Sequence, residues 1–342
     1  MSKPATFSRR SFLLMSLALA ACKPEANVLR ISGYTMGTTF NVVAIDKNRQ
    51  VNDRDARAKI DAALAVVNQQ MSNWDTESEI SRFNAQTSVS SVVLSPELMG
   101  LMHAAEQVHV ASEGRFDTTM GPLIELWGFG KEGEKQVPSD AQIAKALARS
   151  GHKDTLIVGD TSLRKKQPKT QVYLAAIAKG YGADQVGQAL EMLGITDYMV
   201  EIGGDLYASG SNPNGQPWQI GIEKPAALSG GLIDVVGISN LGMASSGDYR
   251  NYFEQDGERF SHIIDPVTGR PITHKTASTT VLAENGMLAD AWATAMLTLG
   301  REKGLMIAEA HNLAVLFIER DTSSAELVFK PTASSRFTAL TS

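Results

Sequence analysis

The chain has 342 residues, 43% of them hydrophobic, with a formal net charge of −5, six histidines and one cysteine. That hydrophobic content is ordinary for a globular protein, and the acidic balance without basic runs argues against a nucleic-acid partner. One cysteine builds neither an internal disulfide nor a thiolate zinc site.

In chain order, residues 1–21 read as a signal peptide. "SRRSFLLMSLALAAC" places Arg9 and Arg10 before an apolar run from Phe12 to Ala21, shorter than the ~20 apolar residues that span a bilayer. The arginine pair resembles a twin-arginine export signal, and Ala20, Ala21 and Cys22 resemble the lipobox of bacterial lipoproteins. Cys22 is therefore expected to carry a lipid on a tether, residues 22–29, holding the protein in the bacterial periplasm against the inner or outer membrane. Removing residues 1–21 takes away Lys3, Arg9 and Arg10 and no acidic residue, so the mature chain is more acidic still.

Residues 30–342 are expected to form one domain, since no later linker, low-complexity tract or repeat interrupts them. "FNVVAI" reads as a strand, and Ile60, Leu64, Val67 and Met71 keep the spacing of a core-facing helix. "SPELMGLMHAAEQVHV" opens with Ser95 as N-cap and Pro96 at the first helical position. Val186, Leu190 and Leu193 mark another helix, ended by Gly194. "YMVEI", "WQIGIE", "LIDVVGI", "LAVLFIE" and "AELVFK" read as further strands, several separated only by turns, which favours antiparallel pairing. The class is α+β, with helices packed on mainly antiparallel sheets.

Several chemistries are excluded. There is no P-loop and no G-x-S-x-G nucleophile elbow. "GYGADQVG" at 180–187 imitates a dinucleotide fingerprint, but "AAIAK" before it is a poor strand and the third glycine position holds Gln185. No H-x-x-x-H pair exists, so any metal should be a hard cation on oxygen ligands. Asp290 and Thr294, four apart in "LADAWATAMLTLG", share one helical face. They fit either a Mg²⁺ site or a carboxylate–hydroxyl hydrogen bond. "SHIIDPVTGRPI" (261–272) offers a short strand at "HII" and a tight turn at "DPVTG". By itself it fits either a structural His262 with Asp265 capping the turn, or a catalytic histidine.

Eight stretches in order resemble the FAD:protein FMN transferases, long described as thiamine-biosynthesis lipoproteins. They are "YTMGTTF" (34–40), "MSNWDTESEISRFN" (71–84), "GRFDTTMGPLIELWGFG" (114–130), "AAIAKGYGAD" (175–184), "VEIGGDLYASG" (200–210), "SSGDYRNYF" (245–253), "SHIIDPVTGRP" and "LADAWATAMLTLG". The resemblance implies an enzyme that splits FAD, joins the FMN phosphate to a Thr or Ser hydroxyl of an acceptor protein and releases AMP. It implies acceptors among subunits of membrane redox complexes such as sodium-pumping NADH:quinone reductase. It further implies Mg²⁺ on Asp290, Thr294 and the carbonyl of Ala176, and FAD contacts from Met36, Trp74, Arg115, Phe116, Asp117, Tyr173, Lys179 and Ile263. His262 becomes the expected general base, with Asp265 orienting the turn or the imidazole. Three positions depart from the family pattern: Tyr173 replaces an aspartate, Ala293 stands where some members have a further carboxylate, and Trp74 replaces tyrosine. Two other readings of the same motifs are an FAD pyrophosphatase yielding FMN and AMP, and a lipid-anchored FAD-binding protein without chemistry.

Overall fold

A computed structural model describes residues 26–130, 134–226, 230–321 and 328–342. Residues 1–21, expected to be a signal peptide, and Cys22 lie outside the described residues, as does the start of "AELVFK". Eight strands form a central sheet in the spatial order Asn27–Thr35, Thr38–Asp46, Asp197–Ile202, Asp205–Ser209, Leu241–Gly247, Thr276–Ala283, Ala314–Asp321 and Val328–Ala333. Every neighbouring pair is antiparallel, as the short turns between strand patterns lead one to expect. Smaller two- and three-stranded sheets surround it.

Strand alternation builds a core on each face. In Ala314–Asp321, Val315 and Phe317 pack with the helices, whereas Ala314, Leu316 and Ile318 pack against Trp218, Val236 and Phe337 on the opposite side. Three helices cover the first face: Asp53–Met71, Ala178–Glu191 and Gly286–Ala310, the last broken at Gly300, where φ is 72°. Ile60, Leu64, Val67 and Met71 are all buried, as their spacing requires. Ser95 and Pro96 do begin the helix Pro96–Ala111, but the Ser95 hydroxyl donates to the Glu79 carboxylate and leaves the helix end uncapped by its side chain.

The structure agrees with the rejection of a dinucleotide fingerprint at 180–187 and revises the strand reading of "HII". "GYGADQVG" lies wholly inside the helix Ala178–Glu191 and forms no strand-to-helix turn. Its glycines serve close packing instead. A Cβ on Gly180 would lie 2.0 Å from the carbonyl oxygen of Gly286, and one on Gly187 would lie 2.7 Å from the Tyr198 hydroxyl. "HII" is not a continuous strand, because His262 and Ile263 occupy a break between Glu258–Ser261 and Ile264–Asp265. The turn after it is as expected, with the Gly269 amide donating to the Asp265 carbonyl at 2.8 Å.

The Gly180–Gly286 contact gives a first test. Gly180→Ala forces a methyl group into backbone that cannot rotate away, and overpacking of this kind costs ~1–3 kcal/mol or more. The variant should melt several degrees below the parent in thermal unfolding; an unchanged melting temperature would show that the two helices can separate without penalty.

Candidate functional site

Three elements bring their polar groups to one cleft. The hairpin turn Ile202–Gly203–Gly204–Asp205 holds both glycines at positive φ, 58° and 98°, as a two-residue hairpin of the sheet's own twist requires. That turn makes Asp205 the first residue of its strand and buries its carboxylate. Lys179, at the start of the helix Ala178–Glu191, forms an ion pair with Asp205 and lies 3.7 Å from the Asp290 Oδ1. The other Asp290 oxygen accepts from the Gly180 amide at 3.1 Å. The helix carrying Asp290 is docked through Asp184, which accepts from the amides of Gly286 at 2.7 Å and Met287 at 2.9 Å.

Two buried carboxylates thus share one ammonium. Burial raises the Asp290 carboxyl most, the neighbouring Asp205 charge raises it further, and Lys179 only partly offsets this, so it reaches about 7. Burial raises Asp205 as well. Burial alone would lower the Lys179 ammonium, but the two carboxylates together outweigh it and hold the amine firmly protonated. Thr294, one turn along the helix from Asp290, places its hydroxyl 3.2 Å from that of Ser246. The set is therefore short of positive charge and rich in hard oxygen donors. Among the described residues no three His, Cys, Asp or Glu side chains cluster, so a cation here must also use hydroxyl and carbonyl oxygens. Asp290, Thr294 and the Ala176 carbonyl fit that requirement.

The cleft has a volume of about 670 Å³, lined by Lys179, Asp205, Asp290, Thr294 and Ala176, and also by Arg115, Phe116, Asp117, Tyr173, His262 and Ile263. Ligand pockets are commonly ~300–1,000 Å³. His262 is half-buried, and both its backbone amide and its Nδ1 lie 3.0 Å from the Asn251 carbonyl. With Nδ1 protonated towards that carbonyl, Nε2 keeps its lone pair. Burial lowers the imidazole below its ordinary value, Lys135 and Arg259 add to this, and the Asn251 carbonyl and Asp248 oppose it. The ring is thus held neutral near pH 7.

Asp265 does not reach the imidazole. Its Oδ2 accepts from the Arg115 guanidinium at 2.5 Å and its Oδ1 from the Val267 amide at 2.8 Å. It thereby orients the turn and fixes Arg115 on the cleft wall. Asp117 is likewise occupied, accepting from the Thr119 amide at 2.6 Å and the His152 amide at 2.8 Å. Phe116 is 2% exposed, so its ring is chiefly core. The Tyr173 hydroxyl donates to Glu125 at 2.7 Å, and burial followed by that carboxylate raises its pKa.

Met36 and Trp74 are not on the cleft wall. Met36 sits in a left-handed conformation (φ 50°) in the first hairpin turn and packs over Gly182, while Trp74 is 59% exposed. Three participants carry no role in the motif reading: Asp205, Asn251 and Glu125. Asp205 had a visible signal, a lone carboxylate directly after a Gly-Gly turn and heading the otherwise uncharged strand "DLYAS". Asn251 acts through its main chain, which side-chain identity does not reveal.

Comparison with known proteins places this geometry. Residues 36–317 match the model of the ApbE family. The chain is 44% identical over 335 residues to the FAD:protein FMN transferase of Haemophilus influenzae, covering 96% of this chain and 95% of that protein. Flavin transferase ApbE from Vibrio cholerae matches in structure with a TM-score of 0.84 and 39% identity, over 92% of this chain and 99% of that one. The apo flavinyl transferase ApbE from Pseudomonas stutzeri matches with a TM-score of 0.83 and 35% identity, over 92% and 97%. With two glycine-packed helices, a Lys–Asp–Asp cluster and a neutral histidine on one cleft, and with agreement in sequence and fold along nearly its whole length, this chain belongs to the ApbE family.

Proposed function

We propose that the chain is an FAD:protein FMN transferase that takes FAD into the cleft and joins its FMN half to a Ser or Thr hydroxyl of an acceptor protein. One observation carries this reading beyond family membership: a neutral histidine and a cation-deficient carboxylate pair line the same cleft, and among the described residues no side-chain hydroxyl of the chain is bonded to that histidine. A base without a nucleophile of its own calls for an external hydroxyl. His262 Nε2 accepts the proton as the acceptor oxygen bonds to the FMN phosphorus. The bond between that phosphorus and the bridging oxygen breaks, and AMP departs with the bridging oxygen. Arg115, fixed by Asp265, and Lys179, fixed by Asp205, offer N–H donors to the phosphates without moving. Mg²⁺ on Asp290, Thr294 and the Ala176 carbonyl would supply the remaining charge neutralisation. Measuring AMP release from FAD and Mg²⁺, with and without acceptor protein, tests the reading. Acceptor-independent release marks a pyrophosphatase, and no release marks a binding protein.

The acceptors fit subunits of membrane redox complexes if the chain is lipid-anchored at Cys22 in the periplasm. What supports this placement is the "LAAC" sequence after a short apolar core. No described helix is long and apolar enough to cross a membrane. Mass spectrometry of the membrane fraction should find an acylated N-terminal Cys22; a mature form retaining residues before Cys22 would refute the anchor.

His262→Ala should bind FAD normally and transfer FMN ~10²–10⁴-fold more slowly. In the parent, the working form is the neutral ring, whose pKa lies below the ordinary 6.5. With saturating Mg²⁺ holding Asp290 ionised, transfer should be flat above neutrality and fall only as pH drops through a midpoint below 6.5. A midpoint above 6.5, or parental rates in the variant, would remove His262 from the reaction.

Asp290→Asn relieves a carboxylate that burial already disfavours while keeping an acceptor for the Gly180 amide. Without metal it should melt at or above the parental temperature, yet show neither the Mg²⁺-induced rise in melting temperature nor transfer. Thr294→Ala should need more Mg²⁺ for the same rise. A Mg²⁺ response retained in Asp290→Asn would overturn the metal assignment.

A further inference from the structure

Among the described residues, the hairpin of Trp218–Glu223 and Leu232–Ile238 belongs to no larger sheet. Four consecutive residues of its first strand, Ile220, Gly221, Ile222 and Glu223, line the cleft. Gly221 has no side chain, so at the middle of this run the strand's main chain itself lines the cleft. Among the described residues, this strand's only main-chain ladder is the one to Leu232–Ile238, and its other edge has no backbone partner. Its C-terminal residue, Glu223, is ion-paired with Arg250. The next residue is Asn251, whose carbonyl holds the His262 ring. The strand and the base therefore line one cleft, linked through Arg250 and Asn251.

An open strand edge is a row of N–H and C=O groups that another chain can complete. Most edges are blunted by charge, proline or a covering loop. This one carries Ile-Gly-Ile at its middle, with Glu223 already engaged by Arg250. We propose that the open edge of Trp218–Glu223 receives the acceptor protein as an added β-strand, with its Ser or Thr hydroxyl set towards His262. The partner is an extended, locally unfolded segment recognised through its main chain, and the proposal rests on the transferase reading above. Main-chain pairing fixes the hydroxyl's depth in the cleft in steps of one residue. It also leaves side-chain selection to the few positions that face the walls.

The test uses the purified full chain with FAD, Mg²⁺ and a pool of nine-residue synthetic peptides, each with one central Thr and randomised flanks. FMN-bearing peptides are identified by flavin fluorescence and mass spectrometry. The best one is then remade with a single N-methyl group at each backbone nitrogen in turn. Alternate amides of a paired strand face its neighbour, so transfer should fall about tenfold or more at every second position and hold in between. Hydrogen exchange across residues 218–223 should slow when the unmethylated peptide is present. A methylation series without period two, or unchanged exchange at 218–223, overturns the proposal. So does AMP release from FAD with no peptide labelled, which would leave FAD cleavage standing and remove only the strand-addition mode. A stable dimer that already protects 218–223 from exchange would assign the edge to a second copy and overturn it as well. Absence of both AMP release and labelling would fail the transferase reading itself and take this proposal with it.

Discussion

The site depends on one close approach, that of the helices Ala178–Glu191 and Gly286–Ala310 at Gly180 and Gly286. Because neither residue carries a Cβ, the two backbones nearly touch. Lys179 and Asp290, each next to or one turn from the contact, are brought within ion-pairing distance. Asp184 then clamps the end of the second helix with two backbone hydrogen bonds, so the joint resists both sliding and rotation. Any side chain at Gly180 would push against main chain, which has no rotamer to change. The charge cluster is thus a by-product of backbone packing, and its geometry is as stiff as the helices themselves.

The cleft divides its chemistry by electrostatics. At one end burial works against two carboxylates that share a single ammonium, which creates a standing demand for another cation. Elsewhere on the wall burial works in favour of a neutral imidazole, which suits a base. The same physical cause, removal from water, therefore prepares both groups for opposite tasks. Arg115 and Asp265 join the regions, since their ion pair ties the turn after the histidine to the segment 114–120.

Much of the fold was legible because its signals were local. The alternation in "WQIGIE" and "LIDVVGI" matches the observed strands residue for residue, and Ile60 to Met71 fall on the buried face of their helix. The site was legible mainly through motif order: Lys179, His262, Asp290 and Thr294 do meet on one cleft although they are far apart in sequence. What escaped has physical causes. Asp265 and His262 are close in sequence, yet a strand break turns their side chains to different partners. Phe116 and Asp117 sit on the wall, but their side chains are absorbed by the core and by backbone amides. Pairing across a cluster, as between Lys179 and Asp205, has no signature in either local stretch.

The order of strands in the central sheet has a kinetic meaning. Thr38–Asp46 pairs with Asp197–Ile202, and the described residues between them, including Trp74 and Arg115, are looped out of the central sheet. Closing so long a loop costs chain entropy before any pairing energy returns, and sheets of this connectivity form slowly. Asp205 takes its place only once that closure is made, because its strand extends from the strand that closes it. A nascent chain would therefore carry the helices Asp53–Met71 and Pro96–Ala111 well before it carries a complete cleft, and the capacity to bind a dinucleotide would arrive among the last steps of folding.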